Sequence, residues 1–345
     1  MTPIARGVLL AVAAAASFGA TTPIVQRLAE GSGPAATAAL LYAGAAGFAL
    51  LPHRREAEVR LDRTWWPRVL GVGLSGAFVA PIALAAGLAR THGTTASLLL
   101  NLEAVFTVIL GAVFWHEPVG RRVALAVAVI ACGGALVGLE QGGDGGTTWL
   151  GPLLIAVATL AWATDNALSR TLSDLDPGDV VAAKGTVGVV ASLVVAALTG
   201  AVWPRLPSAL GIVVCGALGF GASLRLYLRA QRVLGSARTG SVFAVAPFLG
   251  ALVAVLLGAP IGGWFTLAGG VAMGVGVWLH LGEDHDHEHV HEVLEHEHPH
   301  RHDDGHHDDH THESPVIGEH SHAHTHGART HGHAHGEDLH HRHHG

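Results

Sequence analysis

The sequence predicts an all-α integral membrane protein of ten transmembrane helices, built as two inverted five-helix repeats and followed by a disordered His-rich C-terminal tail. Three observations predict this fold class. Half of the 345 residues are hydrophobic and only 14% are charged. Apolar segments long enough to cross a bilayer core of roughly 30 Å recur along the chain. Two pairs of segments match at one sequence offset, which indicates an internal duplication.

The composition changes abruptly at residue 283. The segment from Glu283 to Gly345 holds 23 of the 27 histidines, and its 3 arginines against 15 acidic residues give a net charge of −12 with neutral His. The whole chain carries −7, so the remainder carries +5 and is too apolar for a water-soluble surface. We therefore expect a first repeat at 1–140, a second repeat at 141–282 and a cytoplasmic tail at 283–345.

The expected spans are separated by short breaks of Gly, Pro or charged residues, and helix breaks are expected at Pro23, Pro81 and Pro247. An even number of spans places both termini on the same side of the membrane. The approximate bounds of the spans are 7–28, 35–52, 67–89, 94–115, 121–139, 149–169, 179–200, 208–231, 238–258 and 263–282.

Arginines in the loops predict the orientation. The side opposite the N-terminus has only Arg27, Arg90 and Arg205. Since cytoplasmic loops are enriched in Lys and Arg, we expect a multi-pass protein of the cytoplasmic membrane with both termini in the cytoplasm. The arginines on the N-terminal side are Arg6, Arg54, Arg55, Arg60, Arg63, Arg68, Arg121, Arg122, Arg170, Arg229, Arg232 and Arg238.

The internal duplication has an offset of 144 residues. The segment TTASLLLNLEAVFTVILGAVFWHEPVG is similar to TGSVFAVAPFLGALVAVLLGAPIGG, with Ser97 on Ser241. The same offset places Phe18 on Trp162 in the first and sixth spans. A unit of five helices is odd, so the second copy enters the membrane in the opposite sense. Inverted repeats are typical of secondary transporters, whose substrate site lies near the midplane between the copies.

The sequence resembles the drug/metabolite transporter superfamily, and within it the EamA-type transporters. The resemblance rests on GTTASLLLNLEAVFTVILGAVFWHEP with its Glu117-Pro118, on LGSARTGSVFAVAPFLGALVAVLLGAP and on AWATDNALSRTLS. It covers the whole chain before the tail and, less diagnostically, the His-rich tail itself. It implies ten helices, an inner-membrane location and transport of small metabolites, without fixing the substrate. One departure concerns Glu103, which stands where the second repeat has Pro247.

Glu103 is the first candidate for substrate binding or coupling. It lies about nine residues into its expected span, which is roughly 14 Å from the end and close to the midplane. An ionisable group there costs at least about 2.5 to 3.5 kcal/mol, so it needs a partner or an aqueous cavity. A proton and a substrate can compete for such a carboxyl, which is the requirement of proton-driven antiport. The alternative is a structural carboxyl paired with Lys184 or with a hydroxyl.

Four further polar residues, Asp165, Asn166, Lys184 and Arg225, lie in the cytoplasmic third of their expected spans. They come from three helices at one depth and predict a charge-compensated cluster around Asp165. Such a cluster is either a gate or a structural link between helices. Lys184 and Arg225 have a further explanation, because long basic side chains at this depth extend to the lipid headgroups.

The tail predicts divalent-metal binding. Alternate histidines in an extended chain bring imidazoles to a shared ion, and imidazole suits Zn, Ni, Co and Cu. Nearly free of apolar residues, the tail cannot form a core and is expected to be disordered without metal. The metal-binding candidates are His285, His287, His289, His291, His296, His298, His300, His302, His320, His322, His324, His326, His331, His333 and His335. A solvated tail without a specific role, a pH or metal sensor and a metal-gathering arm remain alternatives.

The sequence therefore predicts a secondary active transporter, working in the efflux direction on a small metabolite or drug-like compound. One alternative is a Ni, Co or Zn exporter assisted by the tail, and another is a membrane-anchored metal-binding or metal-sensing protein. No enzyme is expected, since the sequence has no phosphate loop, nucleophile elbow or catalytic triad. The expected partners are the lipid bilayer and a small-molecule substrate, with metal ions and a homodimer left open. Neither nucleic acid nor a required cofactor is expected.

Overall fold

The computed structural model describes two units, residues 1–283 and residues 284–345, and each is treated by itself. The described residues of the first unit are 3–51, 61–116, 119–143, 149–169, 172, 175–234 and 236–281. Those of the second unit are 288–291, 294–300, 320–326 and 329–332. Glu117-Pro118 and four of the loop arginines, Arg54, Arg55, Arg60 and Arg170, lie outside these ranges.

The first unit is helical. Two segments of π-helix, Gly73–Val79 and Ala217–Ala222, join α3 to α4 and α10 to α11, and a 3₁₀ turn, Arg63–Trp65, precedes α3. The α-helices are α1 Pro3–Leu28, α2 Pro34–Ala49, α3 Trp66–Val72, α4 Ala80–Leu88, α5 Gly93–Leu99, α6 Leu102–Phe114, α7 Arg121–Gly143, α8 Leu150–Ser169, α9 Pro177–Leu198, α10 Leu206–Gly216, α11 Ser223–Leu234, α12 Ser236–Phe243, α13 Ala246–Leu256 and α14 Trp264–Leu281.

Ten membrane-crossing segments follow from these helices, which confirms the predicted fold class. Within the described residues, eight helical segments are long and apolar enough to cross a membrane, and two shorter apolar helices lie at 34–49 and 264–280. Large apolar side chains cover the outer surface, for example Leu198, Leu256 and Trp264, which are each at least 75% exposed. Such a surface is suited to lipid rather than to water.

We call the end of the bundle at which α1 begins the N-face, and the other end the opposite face. Successive segments then run alternately from one face to the other, so α5 and α8 both begin at the opposite face. The backbone N–H of Gly33 bonds to the carbonyl of Val202, which ties two loops of different repeats together at the opposite face.

The two repeats share their backbone irregularities. The π-helical segments at 73–79 and 217–222 begin 144 residues apart. In the fourth span of each repeat the helix is interrupted, between Leu99 and Leu102 in the first repeat and between Phe243 and Ala246 in the second. These interruptions are also 144 residues apart. The duplication read from the sequence is therefore present in the local geometry of the helices.

Two details differ from the sequence expectation. The second span ends at Ala49 rather than at residue 52, because Leu51 precedes Pro52 and a residue before proline is disfavoured in the α conformation. Pro23 does not break α1, which continues to Leu28. Helices packed around a membrane-spanning helix can support the backbone at such a proline. Pro81 and Pro247 do mark irregularities, since each lies in the first turn of its helix.

Glycines allow the two repeats to approach closely. A Cβ atom on Gly44 of α2 would overlap with the carbonyl of Val213 in α10, and one on Gly216 would overlap with the carbonyl of Leu41. Small residues at such crossings bring helix backbones together, which is how membrane helices gain packing energy without a hydrophobic driving force.

Helices α7 and α14 are held together at both ends. At the opposite face, the carboxylate of Glu140 accepts a hydrogen bond from the backbone N–H of Thr266 in the first turn of α14. At the N-face, the Nε of Arg122 donates to the carbonyl of Leu279 at 3.1 Å. Each charge faces the helix end whose dipole it complements.

The described part of the tail consists of four strands, β1 Glu288–His291, β2 Leu294–His300, β3 His320–His326 and β4 Arg329–Gly332. β1 pairs with β4 and β2 pairs with β3, both antiparallel. In the second pair the register places three histidines of one strand opposite three of the other, His296 opposite His324, His298 opposite His322 and His300 opposite His320. The expectation that the tail is disordered without metal stays a prediction.

Candidate transport site

Glu103 lies in the first turn of α6, directly after the interruption of the fourth span. At this interruption the backbone N–H groups of Leu100 and Asn101 bond three residues back, to Ser97 and Leu98. The tightened turn starts a new helix in mid-membrane, with its N-terminal end beside Glu103. A helix N-terminus carries partial positive charge and stabilises a nearby carboxylate. Glu103 lies ten residues after the start of α5, so at 1.5 Å per residue it is roughly 15 Å from the opposite face.

Asn166 of α8 contacts Glu103 directly. Its Nδ2 donates to Oε1 of Glu103 at 2.7 Å. Glu103 is only partly buried and Asn166 is exposed, so both side chains have surface available to a small molecule. Because α6 belongs to the first repeat and α8 to the second, this hydrogen bond crosses the interface between the repeats.

Asp165 and Lys184 form an ion pair beside this contact. The Nζ of Lys184 lies 2.8 Å from Oδ2 of Asp165, and the hydroxyl of Ser169 donates to Oδ1 at 3.1 Å. The Asp165 side chain is 5% exposed and that of Lys184 is 18% exposed. Asp165 also packs against Gly76, where a Cβ atom would overlap with its carboxylate. The pair thus links α8, α9 and the π-helical segment of the third span.

Arg225 caps the end of α2. Its guanidinium donates to the carbonyls of Phe48 and Ala49, each at 3.1 Å, and lies 4.7 Å from the centre of the Phe48 ring. Carbonyls at a helix C-terminus carry partial negative charge, so a cation is stabilised there. This environment gives Arg225 a structural explanation, and its expected role in substrate binding or coupling stays a prediction.

The cluster expected around Asp165 is therefore divided. Asp165 and Lys184 are brought together as expected, whereas Asn166 is joined to Glu103 and Arg225 to the end of α2. The alternative pairing of Glu103 with Lys184 is not the arrangement found, since Lys184 bonds to Asp165. These positions are decided by helix packing, which the spacing of polar residues along the chain does not reveal.

An aromatic cluster that the sequence analysis missed lies next to these polar residues. Phe18 of α1 contacts three rings from other segments, with centroid distances of 6.4 Å to Trp162, 5.7 Å to Phe220 and 5.6 Å to Phe243. The Tyr42 ring lies 5.6 Å from that of Phe220. One signal could have indicated it, because Phe18 and Trp162 occupy equivalent positions of the two repeats.

The carbonyl of Gly76 anchors two of these aromatic residues. The indole Nε1 of Trp162 donates to it at 3.1 Å, and the hydroxyl of Tyr42 donates to the same oxygen. Both side chains are nearly fully buried. The polar atoms of Tyr42 and Trp162 are thereby satisfied inside the membrane, and their rings are fixed toward the interface of the repeats.

The histidines proposed as metal ligands are not tested by the structure. His285, His287, His302, His333 and His335 lie outside the described residues. The other candidates lie in the strands of the tail, whose backbone alone is described. Within the described residues, no group of three or more His, Cys, Asp or Glu is arranged to hold a metal ion. Metal binding by the tail stays a prediction.

Ten membrane segments in two inverted copies, with polar side chains meeting in mid-membrane, define a multi-pass membrane transporter. The model of the EamA-like transporter family matches residues 5–139 and 149–282. The chain belongs to this family, and hence to the drug/metabolite transporters rather than to the enzymes. Membership of this family implies the bilayer and small-molecule partners that the sequence analysis expects.

The chain is also similar to an uncharacterized transporter of Methanothermobacter thermautotrophicus, with 28% identity over 212 residues, which are 59% of this chain and 60% of the relative. The aligned region thus spans about 60% of that relative's length. A solved crystal structure of a protein has the same fold, with a TM-score of 0.56, 19% identity, and coverage of 79% of this chain and 94% of that one. Neither comparison supports the metal-export alternative.

Proposed function

We propose that the protein is a proton-coupled exporter of a small metabolite, in which Glu103 binds the proton and the substrate alternately. The hydrogen bond between Glu103 and Asn166 carries this proposal. It joins the two inverted repeats in mid-membrane, where relative movement of the repeats would expose a site first to one side and then to the other. Loading Glu103 with a proton or a substrate would weaken or strengthen this bond and so bias the movement.

The charges near Glu103 support a coupling role. Asp165 is already compensated by Lys184 at 2.8 Å, whereas the described partner of the Glu103 carboxylate is a neutral amide. An ionised Glu103 is therefore the excess charge of this group. A charge in mid-membrane is costly unless it is neutralised, so a proton or a positively charged group is favoured there. Competition between the two for a single carboxylate produces exchange.

The orientation that we propose places the N-face in the cytoplasm of a cell whose inner membrane holds the protein. The excess of loop arginines on this side supports it, including Arg63, Arg68, Arg121 and Arg122 among the described residues. An inward proton gradient would then drive the substrate outward, which is the efflux direction.

Proton-linked efflux can be tested in proteoliposomes. The vesicles are loaded with the filtered small-molecule fraction of a bacterial extract and with a pH-sensitive dye, then diluted into acidic, extract-free buffer. Wild-type protein is expected to acidify the lumen faster than protein-free vesicles. Compounds that appear outside are identified by mass spectrometry.

Glu103→Gln is the decisive variant, because it keeps the shape of the side chain but cannot exchange a proton. We expect it to lose proton-linked efflux and its dependence on external pH. Glu30→Gln is the matched control, since Glu30 is an exposed carboxylate in the turn after α1. Equal efflux and equal pH dependence of the Glu103 variant and the wild type would refute the proposal.

A further inference from the structure

The four strands of the tail follow one hairpin register. We call β1 with β4 the first ribbon and β2 with β3 the second ribbon. Glu288 lies opposite Gly332 in the first ribbon, and Leu294 lies opposite His326 in the second. Residue 310 lies midway in sequence between the two partners in both cases, and the same is true of every other pair in the two ribbons. The ribbons are therefore successive parts of one antiparallel pairing.

The histidines of the tail are arranged about the same centre. In the sequence, His287 with His333 and His285 with His335 are also equidistant from residue 310, and these four lie outside the described residues. The spacing of the histidines thus agrees with the register of the strands beyond the described part of the tail. Within the ribbons, the facing histidine pairs are His289 with His331, His296 with His324, His298 with His322 and His300 with His320.

The register places three of these pairs on one face of the second ribbon. His296, His298 and His300 alternate along β2, so they share a face, and their partners in β3 share it with them. Directly opposite residues of antiparallel strands have Cβ atoms about 4.5–5.5 Å apart. Neighbours two residues apart on one strand are about 6.8 Å apart. The register therefore favours binding of one ion across the strands over binding along one strand.

The second ribbon needs a source of stability besides its backbone hydrogen bonds. A two-stranded ribbon is marginally stable at best in water, and the tail has almost no apolar side chains with which to form a core. Pairing of β2 with β3 also closes the chain of residues 301–319, which costs entropy. An ion bound by imidazoles of two strands is a cross-link, and its binding free energy contributes to folding.

From this register we propose that the tail is a metal-dependent β-ribbon, in which each facing pair of histidines binds one divalent late transition-metal ion. The class comprises Co, Ni, Cu and Zn, for which imidazole is a suitable ligand. Mg²⁺ does not belong to it, since this ion prefers oxygen ligands and keeps several of its waters. The proposal assigns the ligands of each ion to two strands rather than to one His-x-His segment. It is independent of the proposed transport function.

Two double variants with the same number of histidines test the pairing. His298→Asn with His322→Asn removes one facing pair, whereas His298→Asn with His324→Asn breaks two. The full-length protein, purified in detergent without an added histidine tag, is dialysed against Ni²⁺ at a buffered free concentration, and the bound metal is measured. We expect the first variant to bind one ion fewer than the wild type and the second variant two ions fewer.

Hydrogen exchange of the same three proteins provides a second measurement. Ni²⁺ should slow the exchange of backbone N–H groups in residues 294–300 and 320–326, because bound metal holds the two strands together. Mg²⁺ at the same concentration is the control and should not slow it. The slowing should be smaller in the second variant than in the first, since the second keeps only one of the three facing pairs of this ribbon.

Equal losses of bound Ni²⁺ in the two variants would overturn the proposal, because histidines of an unpaired chain bind metal irrespective of the residue opposite them. Exchange that Ni²⁺ leaves unchanged would overturn it as well. Equal slowing by Ni²⁺ and Mg²⁺ would also contradict it, since the effect would then come from positive charge rather than from imidazole ligands.

Discussion

The two repeats have the same backbone and different chemistry. Each has a π-helical segment in its third span and an interruption in its fourth, 144 residues apart. At equivalent positions, however, the first repeat has Glu103 where the second has Pro247, and the second has Asp165 where the first has Thr21. The shared irregularities belong to the duplicated scaffold, whereas the charged residues at these positions occur in one copy only.

The packing around the π-helical segments shows the same contrast. Asp165 packs against Gly76 of the first repeat, and its counterpart Thr21 packs against Gly219 of the second. In both places a missing side chain makes room for a polar one on the facing helix. The threonine bonds back to its own helix at Ser17, whereas the aspartate bonds to Lys184 of another helix. Only the second repeat has therefore turned this position into an ionic link.

The largest expected effect comes from making the second repeat like the first at this link. Asp165→Thr and Lys184→Leu introduce the residues at the equivalent positions 21 and 40. Either change alone leaves one buried charge without its partner, which costs roughly 3–5 kcal/mol. The double variant removes both charges and should recover most of this loss. Thermal unfolding of the four proteins in detergent, followed by fluorescence, measures the difference.

Recovery of stability in the double variant separates structure from function, because transport can then be measured on a folded protein. If the double variant transports normally, the ion pair is a structural link alone. Single variants as stable as the wild type would contradict an ionic link between Asp165 and Lys184, since each charge would then be solvated independently of the other.

A smaller effect is expected where the repeats cross. Gly216→Ala forces a Cβ atom into the carbonyl of Leu41, and such overpacking typically costs about 1–3 kcal/mol. Gly44→Ala should behave similarly at the carbonyl of Val213. Gly47→Ala in the same helix α2 is the control, since no atom lies within 4 Å of the added Cβ. Equal unfolding temperatures of the Gly44 and Gly47 variants would show that close contact between the repeats is not decisive at this crossing, since both variants gain the same helix propensity from alanine.

The smallest expected effect concerns the carbonyl of Gly76, whose counterpart in the second repeat is Phe220. Tyr42→Phe removes one of its two donors and should cost roughly 0.5–1.5 kcal/mol, the usual contribution of a hydrogen bond. Combined with Trp162→Phe, the loss should exceed the sum of the single losses, because the buried oxygen then loses both partners. Tyr227→Phe, which keeps the ring packed on Phe243, is the control. Simple additivity in unfolding measurements would contradict shared bonding to one carbonyl.

Much of the fold could be predicted because the hydropathy of a segment is a local property of its sequence. The boundaries of most spans agree with the structure to within three residues, since a segment of fixed apolar length has to match the bilayer. Proline positions predicted the helix irregularities less reliably. Pro81 and Pro247 mark irregularities and Pro23 does not, because the neighbours of a helix decide whether it can accommodate a missing backbone donor.

The polar residues of the candidate site were predictable from the sequence, whereas among their partners only the contact between Asp165 and Lys184 agrees with the expectation. Their depth in the expected spans identified Glu103, Asp165, Asn166 and Lys184 as candidates, because a polar or ionisable group in a membrane needs a partner or an aqueous cavity. Which of them touch depends on how α6, α8 and α9 rotate against one another. The aromatic cluster escaped prediction for the same reason, since Phe18 contacts the rings of Trp162, Phe220 and Phe243, which lie in distant parts of the chain.

The sequence by itself determined the number and length of the membrane segments, their duplication and the positions of the charged residues, because these follow from local apolarity and from residue spacing. Tertiary structure alone decided that Asn166 bonds to Glu103, that Lys184 neutralises Asp165 and that Arg225 binds the end of α2. Contacts between helices depend on side-chain volumes at the crossings, such as the missing side chains of Gly44, Gly76 and Gly216. The residues that determine these contacts lie far apart in the sequence and meet only when the helices pack together.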